Sequence, residues 1–164
     1  IINLYISGRK MDELLNFKKA LEFVLKWEGG YVNNPHDKGG ATNKGITQNT
    51  YNTWLKSLSL APRDVKNITQ EEVEQIYYKN YWRKAGCHNM SPKFALLAFD
   101  TAVNMGVARV NQFMKAAGWK YPEKFIEARR AKYHEFAKYG NQKIFLQGWL
   151  NRLNALQDEL KKIS

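Results

Sequence analysis

Five glycines, at positions 29, 30, 39, 40 and 45, fall in one stretch of a chain whose remaining pattern is helical. Glycine takes up left-handed backbone freely and weakens a helix interior, so this stretch has to be a tight loop between two helices. Upstream, Leu14, Phe17, Leu21 and Val24 share one helix face, and Glu28, four residues after Val24, continues it. An acid thus closes an apolar stripe where Gly29-Gly30 stops the helix. The helix macrodipole places partial negative charge at that end, so local stability does not favour a carboxylate there.

Two readings of Glu28 follow. It is either an ordinary last-turn residue pointing into water or a half-desolvated carboxyl with chemical work to do. Desolvation disfavours the charged form of an acid, and a general acid working near neutral pH needs its proton. Asp37, nine residues further on, is the second carboxyl that the glycine-rich loop can bring back toward the first. Two carboxyls facing one cleft suit glycoside hydrolysis: one protonates the leaving oxygen while the other attacks or orients a water. Asp37 also fits a plain role as a turn residue bonded to its own backbone.

The run Trp27-Glu28-Gly29-Gly30-Tyr31, followed by Asn34-Pro35, Asp37-Lys38-Gly39-Gly40, Thr42-Asn43 and Gly45-Ile46-Thr47, resembles the N-terminal signature of the N-acetylmuramidases of glycoside hydrolase family 108. Phe99-Asp100, Ala102-Val103-Asn104 and Gly106 resemble the family's middle motif. Arg129-Arg130, Tyr133, Phe136 and the run from Phe145 to Arg152 are similar to its C-terminal peptidoglycan-binding region. The resemblance spans about residues 17 to 155, and its first motif is the specific one. It implies cleavage of the N-acetylmuramic acid to N-acetylglucosamine bond of peptidoglycan, with Glu28 as the essential acid. Asp37, with Thr42 or Thr47, is similar to the Glu, Asp and Thr set of phage-type lysozymes, where the Asp and Thr position the attacking water. Thr47 is equally suited to cap the helix that begins at Gln48. Tyr31, Asp100, Asn104 and Arg129 are the candidates for substrate contact, Tyr31 foremost because it follows the acid on the turn. Asp100 and Asn104, one helical turn apart, either hold the catalytic helix through hydrogen bonds or line the groove.

Helix ends are legible elsewhere. Thr69 and Glu72 form a capping box ahead of a helix to about Trp82, and Ser91-Pro92 reads as an N-cap with proline at the first helical position. Further helices are expected over 94–105, 107–117, 122–139 and 142–163. The expected fold is therefore all-α, a lysozyme-like helical bundle with a short β-hairpin near residues 31–47. Residues 1–10 read as a leader or an expression remnant outside the fold. Residues 11–105 form the muramidase region, and 106–164 form the helical peptidoglycan-binding region packed on it as one compact unit.

The single cysteine, Cys87, cannot form an internal disulfide, and no zinc cluster is available, so stability has to come from packing. Its neighbour His88 does not make it a nucleophile, because such a pair has to meet in space rather than in sequence. No cofactor and no metal are implied. With no run of 18 apolar residues, a spanning helix is excluded, and the apolar start Ile1–Ile6 lacks the basic flank and cleavage site of a signal peptide. The expected setting is synthesis in the cytoplasm and action in the periplasm or at the wall, as a monomer.

Charge is uneven: residues 1–82 carry a formal +2 and residues 83–164 carry +9. A basic surface favours the anionic cell envelope, but it would also attract nucleic acid. The nucleic-acid reading leaves the loop at Glu28 without a purpose. These residues are also compatible with a lytic transglycosylase acting on the same glycan and with a catalytically dead wall-binding protein. Among the C-terminal aromatics, Trp119, Tyr121, Tyr133, Tyr139 and Trp149 could stack on sugar rings. Trp149 shares a stripe with Phe145, Leu153, Leu156 and Leu160, which favours packing for that residue.

Overall fold

The computed structural model describes residues 8–34 and 39–164. Helix α1 spans Gly8–Trp27, beginning ahead of Met11, so residues 8–10 belong to the fold and only the first seven residues of the expected leader lie outside the described region. Phe17, Leu21 and Val24 are buried as their spacing predicts. Beyond α1 the chain forms strands β1 (Thr42–Asn43) and β2 (Ile46–Thr47), an antiparallel pair with Thr42 opposite Thr47. Val32 bridges back to Thr42, extending the hairpin expected near 31–47. Lys44 and Gly45 make its turn, both with positive φ, which suits the twist of a two-residue hairpin loop.

Helix α2 (Gln48–Ser57) starts at Thr47, whose hydroxyl accepts from the Thr50 amide. Helix α3 (Gln70–Tyr77) carries the full capping box, Thr69 with Glu72. Its continuation to Trp82 is not α-helical: hydrogen bonding widens to a π-helix over Tyr78–Arg83. Within it Tyr78 and Trp82 both donate to Glu13 of α1, at 2.9 and 3.1 Å. Helix α4 (Pro92–Met105) follows Ser91, whose side chain makes no capping bond although its position is the N-cap.

Helices α5 (Val107–Ala116), α6 (Pro122–Phe136) and α7 (Leu146–Leu160) complete the bundle. The last two are shorter than their periodicity suggests, because Gly140 turns the chain with φ +54° and residues 142–145 take a 3-10 turn before α7. The architecture is all-α with one small hairpin, as the sequence implies. At its centre lies α4, buried on nearly every side from Phe94 to Ala102 and packed on α1, α5, α6 and α7. Phe99 anchors an edge-to-face cluster with Phe17, Tyr77 and Trp82, centroids 5.5–6.2 Å apart. An apolar helix at the core makes any charge on it expensive unless it is paired, and α4 carries Asp100 there.

Candidate active site

Glu28 sits immediately after α1, and its amide still bonds to Val24 O at 3.2 Å, so the helix delivers the side chain to a fixed place. The carboxyl is 22% exposed, open enough to meet a ligand and closed enough to be held. Its Oε1 accepts from Arg152 Nη1 of α7 at 2.8 Å. Its Oε2 lies beside the hairpin turn, where a Cβ on Gly45 would be 2.8 Å from it and 2.5 Å from the Tyr77 hydroxyl. Only glycine fits that position, with φ at +76° and this close approach together. Tyr77 in turn donates to Lys44 O at 2.7 Å, tying the turn to α3. Burial and the nearby Glu28 charge both push the Tyr77 and Tyr81 phenols up, so both stay neutral donors beside the acid.

Behind Glu28 runs a buried chain of charges. Arg152, 6% exposed, donates Nε to Asp100 Oδ1 at 2.9 Å, its Nη2 stands 2.8 Å from the same oxygen as an ion-pair contact, and Nη1 holds Glu28. The other oxygen of Asp100 meets Arg129 Nη1 at 2.7 Å. Arg129 continues to Thr101 Oγ1 at 3.0 Å and to the Tyr133 hydroxyl, which donates to Asn104. Burial alone would weaken the Arg152 proton, but Asp100 and Glu28 outweigh it and hold the guanidinium firmly charged. Asp100 thus pairs with a cation from each of two other helices, hydrogen-bonded at Oδ1 and in ion-pair contact without an aligned hydrogen bond at Oδ2, and this pairing is what makes a fully buried carboxylate tolerable.

Asp100 and Arg129 are both completely buried, so neither touches a polysaccharide. This corrects their reading as substrate contacts. They support Arg152, which supports Glu28, and of the two roles open to Asp100 the structure takes the internal one. Asn104 belongs to the same interior network, accepting from Tyr133 and, at 3.4 Å, from Arg129. Thr47 caps α2 and its hydroxyl bonds to Thr50 Oγ1 at 3.0 Å, so its visible work is structural. Thr42 stands opposite it on β1, half-buried. Tyr31, three residues after the acid in sequence, is exposed, with the Lys66 ammonium 5.6 Å from its ring centre. Asp37 lies outside the described residues.

Arg152 is the site residue that spacing does not reveal. It stands one position before Leu153 on the apolar stripe of α7, and a cation there implies a buried anion, which Asp100 on α4 supplies. Trp149, one turn earlier, stacks on Tyr133 with centroids 5.3 Å apart, so it packs as its stripe predicts. Trp119, Tyr121 and Tyr139 are exposed. Cys87 is buried and its thiol is pushed up to about 12 by desolvation, which leaves no nucleophile there at ordinary pH. Among the described residues no group of three or more His, Cys, Asp or Glu side chains is placed to hold a metal ion, and no helix is long and apolar enough to cross a membrane.

No curated protein matches the chain. Among solved structures, that of Brucella abortus SagA is similar: 27% identical, covering 92% of this chain and 97% of that one, with a TM-score of 0.73. The glycosyl hydrolase 108 family model matches residues 21–106, more than half of the chain, and includes Glu28, Gly45, Tyr77 and Asp100. The stretch that holds the acid at the end of α1 and the glycine turn against it thus lies inside the matched region, and the chain belongs to glycosyl hydrolase family 108.

Proposed function

We propose that this protein hydrolyses the β-1,4 bond between N-acetylmuramic acid and N-acetylglucosamine in peptidoglycan, with Glu28 as general acid. The observation that carries this reading is the seating of Glu28: one oxygen is fixed by Arg152, while the other, close beside Gly45, has no hydrogen bond among the described residues. With Oε1 occupied by a guanidinium, Oε2 is the oxygen that carries the proton to the leaving sugar. Asp100 shares the charge of Arg152 through one hydrogen bond and an ion-pair contact, so the guanidinium does not act on Glu28 alone. Tyr31, exposed three residues after the acid in sequence, contacts the glycan.

Asp37 is the proposed partner carboxyl. It orients the attacking water, and the reaction proceeds with inversion. Thr42 is the better-placed assistant by default, since the Thr47 hydroxyl is engaged in capping α2. The basic C-terminal half draws the enzyme to the anionic wall.

Mass spectrometry of the ends released from purified peptidoglycan tests the bond assignment. Reducing muramic acid ends support it. Reducing glucosamine ends would make the enzyme a glucosaminidase, and anhydro-muramic ends a lytic transglycosylase. Proton NMR of the first-formed anomer tests the water: the α-anomer supports inversion, whereas the β-anomer would make Asp37 a nucleophile or a bystander.

A further inference from the structure

A second hollow, of about 520 Å³, opens between the segment around residues 85–91 and the turn joining α5 to α6. This size falls within the range of small-ligand sites, roughly 300–1,000 Å³. Its floor is apolar, made by Met90, Phe94 and Met114. One wall is Trp119, 57% exposed. The backbone of Trp119 is left-handed, φ +57°, a conformation that bulky L residues rarely adopt and that the fold holds through its amide bond to Met114 O at 3.2 Å. An indole is thus kept in water on a strained turn, where glycine or asparagine would sit more easily.

The polar groups of the hollow are also unspent. The exposed side chain of Asn111 has no protein hydrogen-bond partner among the described residues. Ser91 occupies the N-cap of α4 without capping it, which leaves its hydroxyl available. Asn89 uses only its Nδ2, 3.1 Å from His88 Nε2, and keeps its carbonyl oxygen. None of the lining residues is charged, although the chain carries a net +11. That lining does not suit a phosphate or a carboxylate, and the carboxamides and hydroxyl do not suit a purely apolar ligand.

What remains is a neutral ligand with an apolar face and a rim of hydroxyl and amide groups. A hexopyranose bearing an N-acetyl group has that chemistry: its C–H face stacks on an indole, its methyl fits a thioether and phenyl floor, and its amide meets a carboxamide. We infer that this hollow is a second saccharide site, taking an N-acetylhexosamine unit of the glycan at a place separate from Glu28. The inference rests on the glycan substrate proposed above. Ser91 and Asp100 are nine residues apart on α4, about 13 Å along the helix at 1.5 Å per residue, and no lining residue belongs to the Glu28 network. Two contacts on one polymer raise its effective concentration at the acid and keep the enzyme on an insoluble strand.

The test is a titration of the Glu28→Gln protein with the N-acetylglucosamine trimer, following the five Trp indole N–H signals by NMR, with the Trp119 signal assigned by its loss in Trp119→Phe. A saturable shift of the Trp119 signal, weakened about tenfold by Asn111→Ala in a variant with an otherwise unchanged spectrum, is the expected result, tenfold corresponding to one well-made contact. A Trp119 signal that stays still up to millimolar trimer, or one that shifts equally in Asn111→Ala, overturns the site. Wall hydrolysis by the parent enzyme is read separately: hydrolysis with a silent Trp119 refutes only the second site, while a responding Trp119 in a protein that cleaves no peptidoglycan refutes only the function.

Discussion

Gly45→Ala converts the geometry around the acid into numbers. The position has φ +76°, and an alanine there costs about 1–2 kcal/mol for the left-handed backbone alone. Its Cβ would also stand 2.5 Å from the Tyr77 hydroxyl and 2.8 Å from Glu28 Oε2, closer than real contacts allow. Relieving the first contact disrupts the Tyr77 bond to Lys44 O, worth about 0.5–1.5 kcal/mol net. The total, about 1.5–3.5 kcal/mol, lowers the Tm by about 3–14 °C for a domain of this size. Relieving the second moves the Glu28 carboxyl, and a displacement of about 1 Å is enough to cost roughly 10² in turnover. Gly140→Ala is the control, since it has φ +54° and open space around it, so it incurs the backbone cost without touching the site. Thermal unfolding and clearing of a peptidoglycan suspension should show both variants destabilised and only Gly45→Ala nearly inactive. Equal activity in the two would refute the claim that the hairpin turn seats the acid.

Asp100→Ala leaves two buried guanidinium groups without their shared anion and should cost about 3–5 kcal/mol in urea unfolding; a loss below about 1 kcal/mol would show that water reaches them. Cys87 should resist thiol reagents at pH 8 in the folded protein and react on unfolding, because its native thiol is held at about 12. The same group makes stability fall as pH rises from the unfolded thiol's range, about 8.5, toward 12, since only the unfolded state loses its proton there. Rapid modification of the native protein would contradict both statements. Binding to whole sacculi should weaken as salt rises and weaken further on reversing the charges of Arg130 and Lys132, with Arg129 left alone because its charge is part of the core. Salt-independent binding would assign the holding to aromatic contacts instead.

Helix ends were legible because they are local. Thr47, the Thr69 and Glu72 box and Pro92 each act within four residues of themselves, and the structure uses all of them as starts. Glu28 was legible for the same reason, as a residue that its own helix end does not favour. Its partner was not, since Arg152 lies 124 residues away and only the packing of α7 on α4 brings it near. The role of Asp100 turns on the direction of one side chain on a helix buried all round, where periodicity no longer separates inside from outside. A lone Asp on such a helix does announce a buried cation, and Arg152 on the stripe of α7 answers it; pairing unlike charges on apolar faces would have found the network. The π-helical stretch after Tyr77 has no comparable local signature, and its contacts to Glu13 are made across 65 residues of sequence.

The central claim is that Glu28 donates the proton. Glu28→Gln keeps the shape of the side chain and an acceptor for Arg152 but has no acidic proton. The direct measurement is the rate of reducing-end release from purified peptidoglycan by Glu28→Gln and by the parent enzyme, with circular dichroism and sacculus binding confirming an intact fold. A loss on the order of 10² to 10⁴ is the predicted result. A folded Glu28→Gln protein that releases ends at close to the parent rate would contradict the account.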